Sequence, residues 1–149
     1  VLLSAQEEVG GSGAKIGAYG IQPDYALVAD VSFAYHSGCD RHRCGELGKG
    51  PMIGIAPTLD RGMSHTLCET ARLEGIPFQT EVMNGLTSTD ADDIAVCRSG
   101  TRVCTVSIPM RYMHTPVECI DLQDVEASGR LMAAYARKLG EGGCDKCGN

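Results

Sequence analysis

Two adjacent glutamates, Glu7 and Glu8, close an apolar opening run, Leu2-Leu3-Ser4-Ala5-Gln6-Glu7-Glu8-Val9-Gly10. Burying a carboxylate at the end of a core strand is costly unless a cation or hydrogen bonds compensate it. A metal site would account for both residues, with one glutamate binding the ion and the other moving protons. The same pair would also suit an exposed helix start, where negative charge complements the dipole. Two further residues bear on the choice. Asp30 closes the apolar stretch Ala26-Leu27-Val28-Ala29-Asp30-Val31, and His114 stands in Arg111-Tyr112-Met113-His114-Thr115-Pro116-Val117-Glu118. Taken singly, Asp30 reads as a cap or turn residue and His114 as a satisfied buried histidine. Taken together, Glu, Asp and His offer the mixed oxygen and nitrogen donors that suit zinc, cobalt or manganese.

These residues need elements to position them, and the pattern alternates strands with helices. Val1–Ala5 and Tyr25–Asp30 read as strands, with a short Gly-rich helix over Gly13–Tyr19 between them. Met52–Ala56 reads as a strand and Met63–Glu74 as a helix stopped by Gly75 and Pro77. Phe78–Val82 is a further strand and Ala91–Cys97 a short helix. Arg102–Ile108 alternates, with Val103, Thr105 and Ser107 on one face and Cys104, Val106 and Ile108 on the other. Val125, Leu131, Met132, Tyr135 and Leu139 recur at helical spacing, behind Asp121 and Asp124 as amino-terminal carboxylates.

Alternation of this kind implies an α/β fold, an open and mostly parallel sheet between two helical layers. Ligand sites in such sheets lie at the carboxyl ends of strands. Glu7, Glu8, Asp30 and His114 all fall at such positions.

Composition narrows the function classes. The 149 residues fit one domain, and 43% hydrophobic with 21% charged content is globular. A net charge of −6 argues against a nucleic-acid surface. No apolar stretch approaches membrane-spanning length, and no secretory signal is visible. Cys68, Cys97, Cys104 and Cys119 lie in apolar periodic segments and read as small core residues, so reduced thiols in a cytoplasmic protein are expected. His36, Cys39, His42 and Cys44 cluster, and Cys144-x-x-Cys147 closes a Gly/Cys-rich tail over 141–149, expected to be flexible. A cysteine-based zinc or redox module built from Cys39, Cys44, Cys144 and Cys147 is a competing reading. His65 reads as a surface or core residue, and Arg111 as a partner of His114, of a carboxylate or of Glu118.

The wording of the chain is more specific than its spacing. Gln6-Glu7-Glu8-Val9-Gly10 is followed in order by Gly13-Ala14, Ala29-Asp30-Val31, Gly48-Lys49-Gly50-Pro51, Thr89-Asp90-Ala91 and Ser107 through Glu118. This order resembles the dinuclear metallo-aminopeptidases that include glutamyl, deblocking and tetrahedral aminopeptidases, some of which carry the name endoglucanase M. The resemblance runs from Leu2 to about Leu139. It implies a zinc-peptidase-like three-layer fold, with Glu7 as general base and with Glu8, Asp30 and His114 as metal ligands. Glu8 and His114 would share one metal, and Asp30 would bind the second. The implied cofactors are two divalent ions, zinc foremost, with cobalt or manganese as alternatives. The implied substrate is a peptide with a free amino terminus, hydrolysed by a water activated between the metals, and the implied assembly is a homo-oligomer. Gly48-Lys49-Gly50-Pro51 and Thr89-Asp90-Ala91 match loops near the family's cleft.

The resemblance also implies absences. The family uses a further histidine and a metal-bridging aspartate upstream of the Glu-Glu pair, and this chain opens on Val1-Leu2-Leu3 without an initiator Met. Residues 1–140 are therefore expected to form the carboxyl-terminal portion of a catalytic domain, incomplete at its amino end and inactive alone. Two alternatives stand beside it: a non-catalytic remnant of the fold, and a glycoside hydrolase. The last suits the residues poorly, because carboxylate pairs in that chemistry are held about 5–9 Å apart and need no histidine ligand.

Overall fold

The computed structural model describes residues 1–142. Its sheet has five strands: β1 (Tyr25–Phe33), β2 (Met52–Ile55), β3 (Gln79–Val82), β4 (Arg102–Arg111) and β5 (Cys119–Ile120). The order is β1-β4-β2-β3, with β5 added to β4. The longer ladders are parallel, nine residue pairs between β1 and β4 and four between β2 and β3. The antiparallel contacts, β2 with β4 and β4 with β5, hold two pairs each. The sheet is therefore mixed but mostly parallel, as expected.

Four helices cover it: α1 (Ser12–Ile21), α2 (Arg61–Leu73), α3 (Asp90–Ala95) and α4 (Leu122–Gly140). The alternation along β4 separates two cores. Cys104 and Val106 join Met63, Leu67, Leu131 and Tyr135 beneath α2 and α4. Val103 joins Ala14, Ala18, Ala91 and Ile94 beneath α1 and α3. Register carries the pattern across, since Ala26 pairs with Val103 and Leu27 with Cys104. The three layers are thus a direct consequence of period-2 patterning in strands that bury both faces.

Local chemistry explains where the helices begin. Asp60 caps α2, accepting from the Met63 N–H at 2.8 Å, and Asp121 caps α4, accepting from the Gln123 N–H at 2.8 Å. Asp124, only 1% exposed, accepts from the amides of Gly48 and Gly50 at 2.8 and 2.7 Å. Gly50 needs to be glycine: its φ is +86°, and a Cβ there would sit 2.0 Å from the Pro77 carbonyl oxygen. The Gly48-Lys49-Gly50-Pro51 motif is thereby bolted to α4.

Two sequence expectations fail. Val1–Ala5 forms no strand. The Ala5 carbonyl instead accepts from the Gly13 N–H at 3.0 Å, and Leu2 packs at Gly17 of α1. Among the described residues no ladder partner reaches this segment, so β-propensity alone cannot hold it extended in a sheet. The core assignment also fails for Cys119, which is exposed on β5, and in part for Cys97, which is half-buried. Cys68 and Cys104 are buried as expected, and burial pushes the Cys104 thiol up to about 11.

Candidate active site

Glu7 and Glu8 lie in a single turn of 3-10 helix, Glu7–Val9, which reverses the chain ahead of α1. The turn depends on left-handed residues at both ends: Gln6 at φ +65°, Gly10 at φ +114° and Gly11 at φ +63°. The Gly11 N–H closes it by donating to the Gln6 carbonyl at 2.9 Å. The two carboxylates are therefore presented by a turn, where the sequence pattern put them at a strand end.

His114 reaches the same place from the connection between β4 and β5. It follows β4, which runs on to Arg111, beyond the expected end at Ile108. Its backbone is left-handed, at φ +61°, and its N–H donates to Glu118 Oε1 at 2.7 Å. That contact fixes the backbone from which the ring projects. Its Nε2 lies 3.3 Å from Glu8 Oε1, with both side chains about 70% exposed (67% and 72%). An ion pair so exposed contributes little by itself. Among the described residues Arg111 takes none of its expected roles: it donates to the Tyr35 carbonyl at 2.7 Å.

Asp30 sits inside β1, opposite Ser107 in the register, and the strand continues to Phe33. Its Oδ1 accepts from the Val31 N–H at 2.7 Å. Burial raises its pKa above the ordinary carboxylate value; the Asp90 and Glu8 charges add to this and the Val31 hydrogen bond opposes it. The Glu7 carboxyl is also raised, first by burial and then by the Asp30, Glu8 and Asp90 charges, with His114 pulling it down. Glu7 thus feels the charges of Asp30, Glu8, Asp90 and His114, and Asp30 those of Asp90 and Glu8. Carboxylates crowded in this way favour a proton or a cation among them.

As donors, the residues fit a borderline divalent cation in type, a carboxylate oxygen converging with an imidazole nitrogen and a second carboxylate nearby. They fit in part only as a set, because no group of three or more His, Cys, Asp or Glu among the described residues is arranged to hold a metal. The same finding bears on the cysteine reading. Cys39 turns its thiol to the His36 backbone, at 3.0 Å from the carbonyl and 3.1 Å from the amide, and no zinc cage forms with His36, His42 and Cys44. Cys144 and Cys147 lie outside the described residues. His65 is a surface residue of α2, 3.8 Å from Glu69.

A cleft of about 320 Å³ adjoins Glu7, lined by Gly11, Lys15, Ser88 and Asp90 among others. A larger one, about 550 Å³, lies by Asp24, Arg98 and Arg102, where β1 and β4 begin, and contains none of the four candidates. Asp30 lies further along β1 and His114 beyond the end of β4. Asp90 and Glu118 are the site residues that spacing missed. Asp90 was visible only within the Thr89-Asp90-Ala91 wording, and no sequence signal ties Glu118 to the His114 backbone.

A three-layer α/β domain with a carboxylate–histidine cluster at the carboxyl end of parallel strands defines a class shared by many hydrolases. The family follows from comparison: residues 1–131 match the model of the M42 glutamyl aminopeptidases, and the chain belongs to that family. It is 34% identical over 139 residues to the lysyl aminopeptidase of Pyrococcus furiosus, covering 93% of this chain and 40% of that protein. It superposes on an aminopeptidase from the archaeon Desulfurococcus kamchatkensis with a TM-score of 0.83 and 39% identity, over 89% of this chain and 39% of the other. The TET1 peptidase of Pyrococcus horikoshii, which assembles into a tetrahedron or an octahedral shell, matches at TM-score 0.70 and 31% identity, over 90% and 39%. The chain therefore spans about 40% of the length of the relatives it matches.

Proposed function

We propose that this chain contributes part of the active site of a metal-dependent aminopeptidase, acting on peptides with a free amino terminus. The observation that carries the reading is the convergence of Glu8 and His114 at 3.3 Å beside Glu7, in a chain of this family. Glu8 and His114 would hold one divalent ion and Asp30 a second, with zinc the first choice and cobalt or manganese as alternatives. Bound there, such ions supply Lewis-acid polarisation of the scissile carbonyl and a lowered pKa for water. Glu7, outside the ligand pair, takes the water's proton and returns it to the leaving amine. Burial and the neighbouring Asp30, Glu8 and Asp90 charges raise its carboxyl above the ordinary value, the direction that favours holding a proton.

Catalytic zinc ordinarily has about three protein ligands. The described residues offer two at one position and one at the other, so the proposal includes that residues 1–140 are one portion of a catalytic domain and do not turn over alone. Homo-oligomerisation, as the TET1 relative's name records, is part of the reading. A reducing, cytoplasmic setting is also part of it. Among the described residues no helix is long and apolar enough to cross a membrane.

Metal content and hydrolysis of an aminoacyl anilide test the reading. Bound divalent metal should be lost in Glu8→Ala and His114→Ala and retained in Cys144→Ser, a pattern that a cysteine-based site would reverse. In a form that turns over, Glu7→Gln should abolish hydrolysis while leaving metal content intact. Efficient hydrolysis by the 149-residue chain alone would refute the claim that it holds only part of the site.

A further inference from the structure

The first turn of α3 reaches the residues on either side of the Glu7–Val9 turn through Asp90, a residue with no role in the chemistry above. Asp90 is 7% exposed. Its Oδ2 accepts a hydrogen bond from the Ser4 hydroxyl at 2.5 Å, just upstream of the two glutamates. Its Oδ1 is buried without a partner among the described residues. That oxygen lies 3.4 Å from where a Cβ on Gly11 would be, just downstream of the same turn. Asp93, one turn further along α3, closes the gap completely: its Oδ2 would be 2.1 Å from that Cβ. The turn is therefore tied at its entrance by a hydrogen bond and flanked at its exit, where left-handed Gly11 (φ +63°) lies beside the Asp90 and Asp93 carboxylates.

We infer that Asp90 is a positioning residue, which fixes the Glu7–Val9 turn through Ser4 and Gly11 and so sets where Glu7 and Glu8 point. A buried carboxylate oxygen left without a donor is costly to maintain. Groups that orient metal ligands from behind typically alter metal affinity about 10–100-fold when removed. The inference rests on the proposed aminopeptidase reading only for the consequence at the metal; the mechanical claim stands apart from it.

The test uses the 149-residue chain with Ser4→Ala, Asp90→Ala, Asp90→Asn and, as a control, Glu8→Ala. Two quantities are read: amide hydrogen exchange at Gly11 without metal, and cobalt(II) affinity from visible absorption. Ser4→Ala and Asp90→Ala should speed Gly11 exchange at least about tenfold and weaken cobalt binding about tenfold. Asp90→Asn should restore both to within about threefold, because its carboxamide oxygen still accepts from Ser4. Glu8→Ala should lose cobalt with Gly11 exchange unchanged. Unchanged Gly11 exchange in Ser4→Ala overturns the inference. So does an Asp90→Asn that loses cobalt as fully as Asp90→Ala, since charge rather than position would then be the role. If Asp90→Ala fails to fold, Ser4→Ala, altered at an exposed position, decides alone. If the wild-type chain, with two ligands at that position, binds no cobalt, Gly11 exchange decides the positioning alone.

Discussion

Replacing Asp124 by alanine tests how the Gly48-Lys49-Gly50-Pro51 motif is held. The carboxylate accepts two backbone amides, from Gly48 at 2.8 Å and Gly50 at 2.7 Å, while itself 1% exposed. A hydrogen bond to a charged group contributes roughly 1.5–3 kcal/mol net. The two amides differ in what happens afterwards. Gly48 is exposed and can turn to water, so its loss falls near the bottom of that range. Gly50 is buried, and its orphaned N–H carries a desolvation penalty of about 1–3 kcal/mol. Removing a buried carboxylate returns part of the sum, since its own desolvation disappears with it. The net expectation is a loss of about 3 kcal/mol. For a chain of this size that is a fall of about 6–12 °C in Tm. Asp124→Asn should lose somewhat less, because the carboxamide oxygen satisfies one amide while its NH₂ opposes the other. Urea unfolding is the assay, read as a shift in midpoint with the m-value unchanged. Lys49→Ala, at an exposed side chain in the same motif, is the control and should stay within about 0.5 kcal/mol. A loss below about 1 kcal/mol in Asp124→Ala would refute the reasoning, since the motif would then not depend on α4 for its amides.

Asp60 carries a pH-dependent share of stability. Its hydrogen bonds to Arg102, at 2.7 and 3.2 Å, hold its carboxyl below the ordinary 3.8. A depressed folded pKa means stability fully present above the unfolded value and lost as pH falls through the folded one. Asp60→Ala should cost about 1–2 kcal/mol at pH 7, from the α2 cap and a partly exposed ion pair, and the difference should shrink below about pH 4. Thr105→Val should be neutral, or stabilising by up to about 1 kcal/mol, in urea unfolding. Its hydroxyl is buried without a partner among the described residues, so only a desolvated polar group is removed. A loss above about 1 kcal/mol would mean that the hydroxyl does have a partner. Thiol labelling followed by peptide mass spectrometry should modify exposed Cys119 first among the cysteines of the described residues and leave Cys104 untouched until the chain unfolds; early labelling of Cys104 would contradict its burial.

The elements and layers were legible in the sequence because they follow from local rules. Period-2 alternation in Arg102–Ile108 assigned Val103 and Cys104 to opposite faces, and they belong to separate cores. Asp60, which caps α2 in the structure, and Asp121, read in the sequence as an amino-terminal carboxylate of α4, sit directly before their helices, so each start is encoded within a few residues. Val1–Ala5 was misread for the complementary reason. A strand exists only with a partner, and propensity cannot report that Gly13 takes the Ala5 carbonyl instead.

The site divides in the same way. Residue type and wording determined which side chains have the chemistry: Glu7, Glu8, Asp30 and His114 are acids, a base and donors wherever they lie. Their meeting was decided by the tertiary structure alone. Glu8 stands on a turn before α1 and His114 beyond β4, and no local rule brings them to 3.3 Å. That distance results from the β1–β4 register, from the left-handed backbone of His114 held by Glu118, and from the contact of Asp90 with Ser4. The sequence states short-range preferences directly, whereas long-range contacts emerge only once every layer has packed.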